Sequence, residues 1–500
     1  MLFLRLNLKI FNGALAQVRR QREHFLIHRV RRKYDREAGK FTFYIAYETA
    51  APLTPRTVVV AEAFGLGLDQ ERKFEVLDAE LKIGPTDIVY VTGDSGSGKS
   101  ILLKAIKKDL GDEAVDMSDV HVDPEKPLIE TIGATVEEGL ELLSKVGLND
   151  AFLFLRTYDQ LSDGQKYRYR LAKFMESKKQ WWIIDEFAAT LDRDTAKIIA
   201  FNLQKLARQQ GKAVLAATTH TDLFDDLKPS VHIHKKFGKE ISISYYPNEP
   251  AKECSLAREM RIEPGVLDDW RKLSGFHYRS HNAGATREIY CLKRGYELCG
   301  VIVYCYPPVN CAGRRLVLPR MDVKTLNKRL SIISRIVIHP KYRTIGLGAK
   351  LIRETLPRVG TPYVEMVAVM AKYNPFAEKA GMQKVIEQRP SEEAQKISKV
   401  LEDVGFNLQL LGSEKYVCSA LHNLNPDQLA RVKEVLAKND HPRLRKELGD
   451  RHKPYGTTAA YVEGVKNADS AKLAKVIRVV GMLLQTKVYL FWGKPEIHKQ

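Results

Sequence analysis

Ile88-Val89-Tyr90-Val91-Thr92-Gly93-Asp94-Ser95-Gly96-Ser97-Gly98-Lys99-Ser100 is an apolar, β-branched run that breaks into a glycine-rich turn and leads into a helical pattern through Ile101 to Lys108. Strand, glycine turn and helix together are the opening of a P-loop α/β domain. Gly93 to Ser100 fits G-x-x-x-x-G-K-[ST] in the context the motif requires. Its glycines let successive backbone N–H groups converge on phosphate oxygens, Lys99 reaches the β- and γ-phosphates, and Ser100 binds Mg²⁺. Gly93, Asp94, Ser95, Gly96, Ser97, Gly98, Lys99 and Ser100 are therefore expected to cradle ATP.

Further along, Trp181-Trp182-Ile183-Ile184 is an apolar strand ending in two carboxylates, Asp185 and Glu186. Behind a P-loop, Asp185 is expected in the magnesium shell, and Glu186 is expected to orient or deprotonate the attacking water. Leu161-Ser162-Asp163-Gly164-Gln165 precedes these carboxylates, Thr190-Leu191-Asp192 follows them, and His220 closes the next strand, Ala213 to Thr218.

In that order the four segments resemble the signature, Walker B, D-loop and H-loop of the ABC ATPase family. The resemblance implies that Ser162 and Gly164 cap the γ-phosphate of an ATP held by a second subunit. A polar turn opening the basic helix from Gln165 to Lys173 suits that role, because it presents N–H donors and a positive helix end to an anion. It further implies that His220 contacts the same phosphate, that Asp192 bridges subunits, and that the working form is an ATP-dependent head-to-tail homodimer. Two departures stand out. Asp163 replaces the usual glycine, and no Q-loop is recognisable between the P-loop and the signature, where Glu130 is a weak substitute.

A second constellation begins at Ser334-Arg335-Ile336-Val337-Ile338-His339-Pro340-Lys341-Tyr342-Arg343-Thr344-Ile345-Gly346-Leu347-Gly348-Ala349. With Arg343, Gly346 and Gly348 at the defining positions, it resembles motif A of the GNAT acetyltransferase superfamily. A glycine turn at a helix N-terminus binds a pyrophosphate without a clashing Cβ. Asn374-Pro375-Phe376 to Met382 is similar to motif B, and a hairpin around Gly295 fits the substrate-side strands. The resemblance implies acetyl-CoA held by Arg343, Thr344, Gly346, Leu347, Gly348, Ala349 and Asn374, with the thioester carbonyl polarised by backbone N–H near Val337 and Ile338. The family's usual base positions carry Ser331, Ser334 and Ala377 here. Glu365, Tyr373 and His339 stay open as the general base.

The 500 residues carry 80 Lys and Arg against 61 Asp and Glu, a formal charge of +19. Such a balance points to a polyanion partner, RNA and tRNA foremost, although a solvated basic surface produces the same count. Basic runs at Arg19 to Arg22 and Arg29 to Lys33 suggest either a phosphate-contacting extension or a surface face packing on the next domain. No apolar run is long enough to span a membrane, since Val479 to Trp492 is broken by Gln485, Thr486 and Lys487, so a cytoplasmic location is expected. Cys291, Cys299, Cys305 and Cys311 invite a metal reading, but they lack a C-x-x-C pair and sit in strand-like runs, where buried thiols account for them.

The expected architecture is α/β: a basic N-terminal extension (1–55), an ABC-type ATPase domain (56–248), a GNAT α/β acetyltransferase domain (249–390) and a helical basic C-terminal region (391–500). The expected function is ATP hydrolysis joined to acetyl transfer from acetyl-CoA to an amine on RNA. Two other readings stand beside it: a protein or small-molecule N-acetyltransferase regulated by an ABC clamp, and a non-enzymatic ribosome- or DNA-associated scaffold.

Overall fold

The computed structural model describes residues 27–49, 54–65, 72–277, 283–369, 371, 374–448 and 457–493. They divide into two compact units, the first running to Arg261 and taking in His339–Leu347, the second made of Ile262–Ile338 and the residues from Gly348 onward.

The first unit opens with an antiparallel sheet of β1 (Ile27–Asp35), β2 (Lys40–Thr49) and β3 (Arg72–Lys82) in that spatial order. Phe41, Phe43 and Ile45 alternate along β2 and share a core with Leu77 and Leu81 of β3 and Leu102 and Ile106 of the helix Lys99–Leu110. Residues 27–49 therefore pack within the first unit, where a separate basic extension over 1–55 is expected from the sequence. Their apolar positions join the core that β3, this helix and Trp181, Val89 and Leu215 also line. The run Arg19 to Arg22 lies outside the described residues.

The β-branched run Val58 to Val60, which reads as a strand, is helical in Pro55–Ala63. Thr54 caps that helix through the Thr57 N–H, and Pro55 opens it, so a start signal outweighs weak β-propensity.

A six-stranded sheet follows: β4 (Ile88–Thr92), β5 (Ala114–Asp116), β6 (Trp181–Ile184), β7 (Ala213–Ala217), β8 (Val231–Lys235) and β9 (Ile241–Tyr245), in the order β5-β6-β7-β4-β8-β9. Only β8 and β9 run antiparallel. Every residue of β4, β6 and β7 is buried, as in a parallel sheet covered on both faces. Val89, Val91, Ile183 and Leu215 join the core of the Lys99–Leu110 helix. Their alternates Tyr90, Trp182, Ile184 and Val214 pack in the opposite core, with residues from the helices Val136–Lys145, Asp163–Met175 and Arg193–Gln209.

The second unit has one seven-stranded sheet: β10 (Arg261–Pro264), β11 (Thr286–Arg294), β12 (Glu297–Cys305), β13 (Leu330–Ile338), β14 (Tyr363–Ala368), β15 (Gln383–Gln388) and β16 (Lys487–Gly493), ordered β10-β11-β12-β13-β14-β16-β15. β13 and β14 run parallel, and their ladder covers only Leu330–Ile332 against Tyr363–Glu365. Between β15 and β16 the chain makes helices, among them Glu392–Asp403, Pro426–Lys438 and Ser470–Leu483, around a core of their own. The last strand then inserts between β14 and β15. The expected helical region 391–500 is therefore an insertion between two strands of one sheet. Val488, Tyr489 and Leu490 are buried there, which is why the apolar run before Trp492 ends as a strand.

Arg314 and Glu365 form an ion pair inside this unit, Nε to Oε2 at 2.9 Å and Nη2 to Oε1 at 2.6 Å, and Tyr489 donates its hydroxyl to Glu365 Oε2 at 2.9 Å. Cys291, Cys299 and Cys305 are buried in β11 and β12, and Cys311 is half-buried. Among the described residues no helix is long and apolar enough to cross a membrane.

Candidate nucleotide-binding site

β6, β7 and β4 are adjacent strands of one parallel sheet, and the turns that follow them carry Asp185 and Glu186, His220, and the Gly93–Ser100 loop respectively. Ligands of open α/β sheets bind beyond the carboxyl ends of the strands, where these turns gather.

The loop is shaped by backbone geometry that side chains would prevent. Gly93 has φ of 137°, and an added Cβ would collide with the carbonyl oxygen of Lys235. Gly98, with φ of 101°, is the N-cap of the helix Lys99–Leu110; a Cβ there would stand 2.6 Å from Val76 Cγ1. Because glycine has no side chain to cap the helix, the first N–H groups are left for an anion. Lys99 Nζ donates to the carbonyls of Gly93 and Asp94, both at 2.7 Å, so the ammonium is held over the loop. Burial lowers the Lys99 pKa, and the negative charges of Asp185, Asp94 and Glu186 oppose it.

Asp185 Oδ1 accepts the Glu186 N–H at 3.0 Å, and the Glu186 backbone has φ of 51°. His220 follows β7, its N–H donating to Thr218 Oγ1 at 3.2 Å and its carbonyl accepting the Tyr90 hydroxyl. Burial, and then the charge of Arg193, hold its imidazole below the ordinary histidine pKa, with the Ala189 backbone pulling the other way. Among the described residues its Nε2 is buried with no hydrogen-bond partner, as is Ser97 Oγ. Buried polar atoms are rarely left unmade, so two orphans around a glycine cradle fit a triphosphate. Lys99, Ser100 and Asp185 are the residues that would hold ATP and Mg²⁺.

Ser162 begins the helix Asp163–Met175, its N–H donating to Gln165 Oε1 at 3.0 Å, and it is exposed. Asp192 caps the helix Arg193–Gln209 by accepting the Thr195 N–H at 3.1 Å. Arg168 ties the signature helix to the loop before it, Nη1 to the Gly147 carbonyl at 2.9 Å. Neither Arg168 nor Lys235 stands out in the sequence, because what each meets here lies far along the chain: the Gly147 carbonyl for the Arg168 guanidinium, and Gly93 for the Lys235 carbonyl.

The residues expected to hold acetyl-CoA are divided. Arg343, Thr344, Gly346 and Leu347 belong to the first unit, where Arg343 Nη1 donates to the Asn149 carbonyl at 2.7 Å and Asn202 Nδ2 donates to Thr344 Oγ1 at 2.8 Å. Lys341 Nζ meets Asp194 Oδ2 at 2.6 Å. Val337, Ile338, Gly348, Ala349 and Asn374 belong to the second unit, with Val337 and Ile338 registered against Val301 and Gly300 of β12, and Asn374 exposed. Of the three candidate bases, Glu365 is wholly buried against Arg314, and His339 Nδ1 accepts the Lys341 N–H at 3.3 Å. Tyr373 lies outside the described residues.

A nucleotide-binding P-loop domain is thus the class that fold and site define. No family model matches the chain. The cytochrome c biogenesis ATP-binding export protein CcmA of Gluconobacter oxydans is 31% identical over 167 residues, which are 30% of this chain and 75% of that protein. The lipoprotein-releasing system ATP-binding protein LolD of Maricaulis maris is 27% identical over 29% of this chain and 79% of its own. A solved dimeric ATP-binding cassette bound to ADP and Pi is 21% identical, covering 35% of this chain and 93% of its own, with a TM-score of 0.30. The chain belongs to the ABC-type ATPase family.

Proposed function

We propose that this protein hydrolyses ATP at composite sites of a head-to-tail homodimer and transfers acetyl from acetyl-CoA to an amine on RNA, tRNA being the first acceptor to test. The ATPase half rests on the site: Lys99 and Ser100 hold the phosphates and Mg²⁺ with Asp185, Glu186 activates water, and His220 Nε2 meets the γ-phosphate. Ser162 and Gly164, at an exposed helix start, reach the nucleotide of a second copy, and Asp192 lies between the two.

The observation that carries the acetyl-transfer half is the seven-stranded sheet in which β13 and β14 pair in parallel, their ladder ending at Ile332 and Glu365. Beyond that point β13 runs on to Val337 and Ile338 and into the turn of Gly346 and Gly348 at a helix start. A strand that parts from its parallel neighbour leaves room for a thioester, and the turn suits a diphosphate. Gly346, at φ of 86°, has open space where a Cβ would stand. Since Arg343 and Thr344 are engaged within the first unit, coenzyme A binding in this proposal rests on the N–H groups of the turn.

The RNA acceptor rests on the +19 charge and on Arg31 and Lys33, exposed on β1, while Arg32 between them turns to Asp109 at 2.7 Å. The test is transfer of radiolabelled acetyl from acetyl-CoA to total RNA and to total protein, with and without ATP, using wild type and Lys99→Ala. Label in RNA that needs ATP and Lys99 is the expected result. Label confined to protein replaces the acceptor and favours the clamp reading; no label with no coenzyme A binding leaves an ATPase scaffold.

A further inference from the structure

Tyr167 sits on the signature helix, yet its hydroxyl oxygen accepts the backbone N–H of Ala188, two residues past Glu186, at 2.8 Å. The turn it touches is bent against its own chemistry. Glu186 has φ of 51° and Ala188 φ of 57°, left-handed values that a residue with a Cβ avoids unless its surroundings hold it there. Phe187 between them is buried and donates its N–H to the Ala217 carbonyl of β7 at 2.7 Å. Two anchors therefore pin the turn, one on β7 and one on Tyr167. Ala188 is fully buried, so its N–H has no water to fall back on if Tyr167 withdraws. Tyr167 itself packs partly buried against the core beneath the sheet. Burial pushes its pKa up to about 12, with the Ala188 N–H lowering it and the Glu186 charge raising it, so the phenol stays neutral and its oxygen stays an acceptor at neutral pH.

We infer that Tyr167 is a positioning residue for ATP hydrolysis: by holding the Ala188 N–H it keeps the strained Glu186–Ala188 turn in place and aims the Glu186 carboxylate at the water beside the terminal phosphate. This rests on the reading of Glu186 as the hydrolytic carboxylate. Without the anchor the turn relaxes toward right-handed backbone and the carboxylate swings away, while the P-loop, which holds the nucleotide, is untouched.

The experiment uses the full chain with Mg-ATP and compares kcat, KM and ATP affinity. Tyr167→Phe is expected to lose on the order of 10- to 100-fold in kcat, the scale of a misplaced reacting group, with affinity and KM within about twofold of wild type. Tyr167→Gln, which keeps an acceptor, is expected to retain more activity than Tyr167→Phe and serves if the phenylalanine variant does not fold. Ala188→Gly added to Tyr167→Phe is expected to recover most of the lost kcat, because glycine takes φ of 57° without strain. A merely structural tyrosine would not be rescued that way, and loss of affinity together with kcat and no rescue overturns the inference. Glu186→Gln runs alongside: if it hydrolyses like wild type, the reading of Glu186 falls and this inference with it. If Glu186→Gln is inactive while Tyr167→Phe keeps wild-type kcat, only the role of Tyr167 is refuted.

Discussion

The carbonyl oxygen of Lys235, at the end of β8, fills the space that a Cβ on Gly93 would need. The close approach is held from the other side as well. Lys235 is buried, and its ammonium folds back onto the Lys236 carbonyl at 2.7 Å and onto the Gly238 carbonyl. The first glycine of the phosphate loop is thus required by packing of strand against loop as well as by its own backbone angle.

Gly93→Ala is expected to cost more than the about 1–3 kcal/mol of backbone strain alone, because β8 must also move, and to abolish ATP binding. Gly96→Ala, at φ of 77° with nothing near a Cβ, should cost only about 1 kcal/mol. Urea unfolding and nucleotide titration of the two variants measure the difference, and equal losses would mean that the Lys235 contact is unimportant.

The Arg314 and Glu365 pair is buried with side-chain exposures of 8% and 0%, so neither charge has water to turn to. Arg314→Met alone leaves a carboxylate stranded and is expected to destabilise the chain by about 3–5 kcal/mol, and Glu365→Met likewise strands the guanidinium. The double variant should lose less than the sum of the two, read as a double-mutant cycle in urea.

His220 gives a pH test. An unfolded histidine takes its proton below about pH 6.5, whereas burial and Arg193 make the folded ring accept it only at lower pH. Stability from this group is therefore complete above about pH 6.5 and falls as the pH drops through the interval between the two values. His220→Gln should reduce the loss of urea midpoint between about pH 7.5 and pH 5, leaving the share due to other groups such as His232, which burial also lowers. An unchanged slope would contradict the assignment.

Lys341 meets Asp194 at 2.6 Å and Asp192 at 3.8 Å, two carboxylates of one helix start. Lys341→Ala is expected to lower stability by about 0.5–1 kcal/mol at low salt, the range of partly exposed pairs. The deficit should shrink in about 1 M salt, where such charges are screened. Thermal melts at the two ionic strengths decide, and a deficit insensitive to salt would assign the effect to packing.

The positions of the nucleotide-site motifs in the fold were legible because each occupies a strand end or helix start, where local pattern and local geometry coincide. Gly93 to Ser100 follows β4, Asp185 and Glu186 close β6, and His220 follows β7, each where the residue run placed it. The strand that begins at Ala213 and the hairpin around Gly295 were readable for the same reason, since period and turn chemistry are properties of neighbouring residues. The exception at Val58 to Val60 shows a capping signal prevailing over a short β-branched run.

What the sequence by itself determined, then, is which residues stand at each turn and the elements that carry them. Only the tertiary structure decided that β16 returns across the helical insertion to lie between β14 and β15, that His339–Leu347 packs within the ATPase unit, that Arg314 finds Glu365, and that Tyr167 reaches Ala188. Each joins residues distant in the chain. The hydrogen bond or buried charge that joins them stabilises nothing until the cores beneath have formed, so no local pattern of residues records it.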